Sequence, residues 1–143
     1  MSKTVFVAIS GGVDSAAAAI LLKERGFNVR GVTLRLKPHN LADKDIEDAK
    51  AVADTLNIPL DVLDMREEFK KVTDYFCKEY LEGRTPNPCI ACNRYVKWES
   101  LLKRSLDIGA DFIATGHYAK VKDGKLMKSE AKEKDQSYFL YGI

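Results

Sequence analysis

The sequence lacks any apolar run approaching the roughly 20 residues that a membrane-crossing helix needs, which argues against a helical membrane protein. It also lacks the opening of a secretory leader, because Met1-Ser2-Lys3-Thr4 passes straight into a strand pattern. Cysteine is scarce and odd in number, three in 143 residues, so a disulfide framework does not organise the fold. The compartment these features imply is the cytoplasm. Internal repeats and low-complexity linkers are also missing. A chain of this length with 45% apolar residues can build one compact core and has little room for another. The expectation is a single domain over residues 1–143.

Net charge is low, +2, but it is unevenly placed. From Asp43 to Glu68 acidic side chains outnumber basic ones nine to three, whereas from Arg84 to Arg104 five basic residues face Glu99 alone. The basic stretch surrounds the pair Cys89-x-x-Cys92, and a second lysine-rich run spans Lys120 to Lys134. Both suit a phosphate-bearing partner, although a lysine run by itself is usually a solvated face.

Thr4–Ile9 reads as a short, continuously apolar strand of the kind covered on both faces. Asp14–Arg25 reads as a helix stopped at Gly26, Val29–Leu36 as a second strand, Asp43–Leu56 as a second helix and Leu60–Leu63 as a third strand. Asp64 and Glu67 resemble a capping box opening a third helix, with Phe69, Val72, Phe76 and Tyr80 inward and Gly83 at its end. Cys77, beside that stripe, reads as a buried and inert thiol. After a proline-rich loop, Asn93 reads as the cap of a fourth helix reaching Ile108, followed by a strand at Asp111–Thr115 and a hairpin around Asp123-Gly124. The alternation implies an α/β fold: a parallel open sheet with helices on both faces and a small β-hairpin near the C-terminus. Ligands of such sheets bind beyond the carboxyl ends of the strands, at the switch point.

The loop after the first strand reads Ser10-Gly11-Gly12-Val13-Asp14-Ser15 and opens a helix. Two glycines let the backbone approach phosphate oxygens, the helix start supplies N–H groups and a favourable dipole, and Ser10 and Ser15 add hydroxyl donors. Asp14 would repel a triphosphate, so it either works with Mg²⁺ or turns away to cap the helix. The loop has neither the Gly-Lys-Ser/Thr ending of a Walker A sequence nor the spacing of a dinucleotide fingerprint.

Ser-Gly-Gly-x-Asp-Ser after the first strand resembles the signature of the N-type ATP pyrophosphatase superfamily (the PP-loop ATPase, adenine nucleotide alpha-hydrolase-like fold). Its members cleave ATP between the α and β phosphates to adenylate a substrate. Three further segments resemble the tRNA-specific 2-thiouridylases: Gly83-Arg84-Thr85-Pro86-Asn87-Pro88-Cys89 with Cys92-Asn93, then Ala114-Thr115-Gly116-His117-Tyr118, then Lys134-Asp135-Gln136-Ser137-Tyr138-Phe139-Leu140. The resemblance implies an enzyme that adenylates the 2-carbonyl of the wobble uridine of certain tRNAs and then admits sulfur. It puts Ala8, Ile9, Ser10, Gly11, Gly12, Val13, Asp14, Ser15, Leu34 and Gly116 around ATP. It puts Asn87, Pro88 and Cys89 at the target base, Lys134, Asp135 and Gln136 against the tRNA, and Cys92 as the nucleophile. Arg84, Arg94 and a helix start near Asn93 would lower a nearby thiol pKa.

Two departures qualify that picture. Many members of the family carry Asp where this chain has Cys89, which makes a true Cys-x-x-Cys suited to a disulfide-forming pair or to two ligands of a 4Fe–4S cluster. The family's second catalytic cysteine and its central and C-terminal domains do not follow Ile143 in this sequence. Cys89 or a cluster would then have to replace the usual persulfide relay, with sulfur coming from inorganic sulfide or a persulfide-carrying protein, and a homodimer is one way to replace missing surface. The connection Lys37–Asp43 also looks shorter than usual. Other readings left open are an adenylating enzyme acting on a different nucleobase or an acid, and an ATP- and RNA-binding fragment that is inactive without the missing domains.

Overall fold

Every residue from Val5 to Val7 is buried, as a strand covered on both faces requires, and this segment anchors the sheet. In the computed structural model, which describes residues 2–37 and 39–140, it forms β1 (Thr4–Ala8). There follow α1 (Val13–Glu24), β2 (Asn28–Arg35), α2 (His39–Leu56), β3 (Leu60–Asp64) and α3 (Arg66–Leu81). A short α4 (Pro88–Ala91) runs into a π-helical segment, Cys92–Leu101, then α5 (Leu102–Asp107) and β4 (Phe112–Ala114). A hairpin of β5 (Lys120–Lys122) and β6 (Lys125–Met127) follows, with 3₁₀ turns at Lys132–Lys134 and Ser137–Phe139. No helix among the described residues is long and apolar enough to cross a membrane.

The four long-range strands form one parallel sheet in the order β3-β2-β1-β4, as the alternating pattern predicts. Right-handed crossovers carry the chain outward from β1 through α1 and α2, which places both helices on one face. Val5, Val7 and Ile9 pack there with Ala19 of α1 and Ala49 and Ala53 of α2. Small alanines let the helices lie close to the sheet, and each large apolar side chain buried contributes about 1.5–3 kcal/mol. Phe6, on the alternate face, is covered by Arg30, whose guanidinium sits 5.5 Å from the ring centre and pairs with Asp61 at 2.8 Å. β4 joins the other side of β1 through α5, and Asp111 ties its start by accepting from the Thr4 N–H at 2.7 Å. Strand order therefore reverses between β1 and β4.

The chain falls into two compact units. One comprises residues up to Arg66 together with Leu102–Gly116 and holds the parallel sheet; the other comprises Glu67–Leu101 with the residues from His117 onward. In the second unit Val72, Ala91, Val96 and Leu140 are buried. The hairpin turn lies at Asp123 and Gly124, both at positive φ (52° and 71°), the primed geometry that matches the twist of a two-residue hairpin.

Four local expectations need correction. The helix expected to be capped by Asn93 begins six residues earlier: Asn87 is the cap, its side chain accepting from the Cys89 N–H at 3.1 Å, and Pro88 takes the first helical position. Proline has no N–H to lose there and its φ suits the turn, so Asn-Pro outcompetes the later asparagine. Cys77 is exposed rather than buried, and Tyr80 is also exposed, its ring meeting Phe76 edge-on at 4.9 Å. The Asp64 carboxylate takes the Arg66 backbone N–H and guanidinium, so it reads its own near neighbour instead of sharing a box with Glu67. Helix α2 starts at His39, not Asp43. Within the connection Lys37–Asp43, Pro38 lies outside the described residues.

Candidate functional site

The turn between β1 and α1 folds on its own hydroxyls. The Ser15 Oγ donates to the Gly12 carbonyl at 3.0 Å and accepts from the Ser10 N–H at 3.3 Å, while the Ser10 Oγ accepts from the Gly12 N–H at 3.4 Å. Ser15 is 4% exposed, so this network is the turn's internal frame. Gly11 sits at φ +82°, and a Cβ there would come 2.7 Å from the Asp48 Cβ of α2, so only glycine fits. Gly12 is the helix N-cap, in extended backbone (φ −87°, ψ 159°), and has no side chain with which to cap. A Cβ at Gly12 would touch only the Ser10 Oγ, at 3.4 Å. The open face of the turn thus lies over the first-turn N–H groups of α1, which by helix construction have no i−4 carbonyl. That is an anion cradle at the positive end of a helix.

The neighbouring strand ends complete it. Gly116, two residues past β4, packs so closely on α1 that a Cβ would lie 2.7 Å from the Ser15 backbone N and 2.8 Å from the Asp14 carbonyl carbon. Ala8 ends β1 in register with Val32, Ile9 is buried and bonds the Val32 carbonyl at 2.8 Å, and Leu34 is half-buried two residues further along β2. The expected ATP-contacting residues therefore gather at the switch point, except that Val13 is 79% exposed and Asp14 is exposed in the first turn, one residue after the helix opens. The cap is Gly12, so Asp14, one residue inside the helix, does not cap it as one of its two expected roles required.

In the second unit, Cys89 and Cys92 lie three residues apart on one helical path and so share a face. Cys89 is exposed, while Cys92 is partly buried. Burial pushes the Cys92 thiol above its usual range; Lys97 pulls it back and neighbouring Cys89 pushes the same way as burial. The expectation that Arg84 and Arg94 lower a thiol here is corrected. Arg84 is taken up by Glu79 at 2.6 Å and by Glu82, and Arg94 lies over the Tyr95 ring, 3.8 Å from Glu99. Asn93, next to Cys92, is 3% exposed, and its Oδ1 meets no hydrogen-bond partner among the described residues. His117 is held neutral by burial, with Lys97 adding to the effect, and its pKa falls to about 4.

A 4Fe–4S cluster calls for more thiolates than this pair supplies, and no group of three or more His, Cys, Asp or Glu capable of holding a metal exists among the described residues. The donor set does not fit the cluster, and Cys89 and Cys92 stand as two free thiols. Of the residues expected against RNA, Asp135 accepts from the Ser129 N–H at 2.6 Å and the Ser137 hydroxyl at 2.7 Å. Gln136 accepts from the Tyr118 N–H at 3.0 Å. Both side chains hold their own segment together, whereas Lys134 is exposed with its ammonium 5.5 Å from the Tyr118 ring centre. The 3₁₀ turn that follows packs on α4, which brings this segment beside the cysteine helix.

Comparison with known proteins places this arrangement. The family model described as the tRNA methyl transferase HUP domain matches residues 3–143. The tRNA-specific 2-thiouridylase MnmA of Lachnoclostridium phytofermentans is 52% identical over 99% of this chain and 44% of its own length, and that of Clostridium kluyveri is 51% identical over 100% and 44%. The chain belongs to the tRNA-specific 2-thiouridylase family. It spans less than half the length of these relatives. Among solved structures, the thiouridylase-family chain resembles the U34-tRNA thiolase NcsA from Methanococcus maripaludis with its 4Fe–4S cluster (TM-score 0.60, 22% identity, covering 80% of this chain and 38% of that one). It also resembles the NH3-dependent NAD synthetase of Campylobacter jejuni (TM-score 0.52, 22% identity, 80% and 47%). At these identities the likeness bears on the fold alone, the PP-loop type of parallel sheet. Lys97, which acts on both Cys92 and His117, and Asn87 as a helix cap were missed from sequence; Asn-Pro before a helical pattern was the available signal for the cap.

Proposed function

We propose that this chain is the ATP-binding, base-activating part of a tRNA 2-thiouridylase, working in the cytoplasm without a membrane. The observation that carries this reading is the match, over nearly the whole chain, to relatives named tRNA-specific 2-thiouridylase, in a sequence that keeps both the Ser10–Ser15 turn and Cys92. The turn, with Ala8, Ile9, Leu34 and Gly116, holds ATP, its N–H groups on the phosphates. Asp14 is the carboxylate that would hold Mg²⁺ together with phosphate oxygens, the usual one-carboxylate arrangement for that ion. The uridine 2-carbonyl oxygen attacks the α-phosphorus and pyrophosphate leaves, turning a poor leaving group into AMP.

A sulfur donor supplies the incoming atom: a persulfide-carrying protein passes its outer sulfur to the Cys92 thiolate, and inorganic sulfide attacks the Cys92 Sγ of a Cys89–Cys92 disulfide, expelling the Cys89 thiolate and leaving a Cys92 persulfide. When Cys92 carries it as a persulfide, the outer sulfur attacks C2 and AMP departs. The Cys89 thiolate then attacks the Cys92 Sγ, releasing 2-thiouridine and leaving a Cys89–Cys92 disulfide that a thiol reductant reopens. Asn87, Pro88 and Cys89 contact the target base, Lys134 to Gln136 border the tRNA, and a homodimer would widen the RNA-binding surface.

The test is nucleoside mass spectrometry of unmodified tRNA after anaerobic incubation with the protein, ATP, Mg²⁺ and sulfide, with Cys92→Ala in parallel. Appearance of 2-thiouridine that depends on ATP and Cys92 is the expected result. If no thionucleoside forms and no pyrophosphate is released, the reading of this chain as a base-activating enzyme fails.

A further inference from the structure

The segment from Cys92 to Leu101 winds as a π-helix, and that winding sets which side chains meet. In an α-helix residues five apart point about 140° away from each other, but here Arg94 and Glu99 approach to 3.8 Å, and the Ser100 hydroxyl donates to the Tyr95 carbonyl at 2.9 Å. The buried stripe has the same spacing, Ala91, Val96 and Leu101. Cys92 and Lys97 form the row beside that stripe, five apart and each partly buried. The winding therefore carries a cation to the cysteine that the family resemblance makes the nucleophile, and π segments recur at functional sites.

Lys97 faces no carboxylate. It forms no ion pair among the described residues, whereas the more exposed Arg84, Arg94 and Lys120 all do. The titratable groups its charge reaches are Cys92 and His117, both within the same unit. His117 is kept neutral by burial and by Lys97 itself, so the imidazole does not offset the ammonium. Taking a cation part-way out of water without an acidic partner costs free energy, and an anion arriving with the substrate would offset that cost. The reaction proposed above brings one. Once the 2-carbonyl oxygen is joined to AMP, sulfur adds to C2, the C2–O bond breaks and its electron pair leaves with the oxygen. The departing AMP gains one unit of negative charge, and a compact ammonium with three donors suits a phosphate oxygen as a point charge.

We propose that Lys97 is a further catalytic residue of the thiolation step, its ammonium meeting the phosphate-linked oxygen as that oxygen departs from C2. The proposal rests on the reading of the chain as a base-activating thiouridylase, and its test separates the two. In single-turnover reactions with unmodified tRNA, ATP, Mg²⁺ and sulfide, pyrophosphate release reads base activation and nucleoside mass spectrometry reads thiolation. Iodoacetamide labelling at Cys92, followed by peptide mass, reads the thiol. Lys97→Met, similar in length but uncharged, should slow thiolation about 10²–10³-fold, a loss well beyond that in pyrophosphate release, and should slow Cys92 labelling no more than about tenfold. Lys97→Arg should recover much of the rate, and Lys97→Ala should regain rate when methylammonium is added. Thiolation that falls only in proportion to labelling means that Lys97 acts through the thiol alone, which overturns the proposal. Thiolation and pyrophosphate release falling together, or a Lys97→Met protein that thiolates at the wild-type rate, also overturns it. Wild-type protein that releases pyrophosphate without forming 2-thiouridine has no sulfur step for Lys97 to serve, which overturns the proposal and leaves base activation standing. If the wild type releases no pyrophosphate with tRNA, the base-activating reading itself fails and takes this proposal with it.

Discussion

Replacing Gly12 by alanine separates the turn's role in binding from its role in folding. In the free protein the new methyl meets only the Ser10 Oγ, at 3.4 Å, and the backbone at φ −87° and ψ 159° accepts any residue. Two small terms then oppose each other. Restricting the unfolded chain stabilises by about 0.4–1 kcal/mol, and alanine is a poorer N-cap than glycine by roughly 0.5–1 kcal/mol. The net change is about zero, and Tm should stay within about 3 °C of wild type. Binding responds differently, because the methyl stands over the N–H groups that would meet the triphosphate. Losing one charge-assisted hydrogen bond costs about 1.5–3 kcal/mol, which is roughly a 10- to 150-fold rise in Kd. Isothermal titration with a non-hydrolysable ATP analogue, alongside a thermal melt, reads both quantities. An unchanged Kd would refute the cradle, and a large loss of Tm would refute the account of open space above Gly12.

Gly116→Ala should behave in the opposite way, losing stability by about 1–3 kcal/mol in a urea melt, because its Cβ would press on backbone atoms of Asp14 and Ser15 that cannot swing aside. Asn87→Ala removes the cap on the Cys89 N–H and should cost about 1 kcal/mol, with Asn87→Ser recovering most of it in the same assay. Cys92 should alkylate with iodoacetamide more slowly than exposed Cys89 at neutral pH and gain rate as pH rises, since burial holds its thiol above the usual range; Lys97→Ala should move that profile further up. His117, with its pKa lowered from 6.5 to about 4, binds fewer protons folded than unfolded between those values. Its contribution to stability is therefore complete above about 6.5 and lost as pH falls toward about 4, and His117→Gln should flatten that part of a urea-melt pH profile.

Much of the sheet was legible. Val5, Phe6 and Val7 form a run without a polar residue, which only a strand covered on both faces tolerates, and the repeated strand-helix spacing left parallel pairing as the economical outcome. The Ser10–Ser15 turn was legible for a similar reason: two glycines between a strand and a helix answer a backbone requirement, and the structure meets it at Gly11 with φ +82°. Helix interiors were read more faithfully than their ends. Asn87 and Asn93 are equally good caps by composition, and the choice fell to Pro88, whose ring selects the first helical position.

Sequence alone determined the parallel α/β architecture, the glycine turn between the first strand and the first helix and the family, because each depends on backbone chemistry or on residues close together in the chain. Only the tertiary structure decided the environment of each thiol: Cys77 exposed, Cys92 partly buried with its pKa raised, and Arg84 spent on Glu79 and Glu82. It also decided that Asp48 closes over Gly11, that Gly116 bears on the start of α1, and that the helix after Cys92 winds as a π segment and opens a cleft beside Tyr95. Burial and the pairing of charges depend on which distant segments meet, and the linear order of residues does not carry that information.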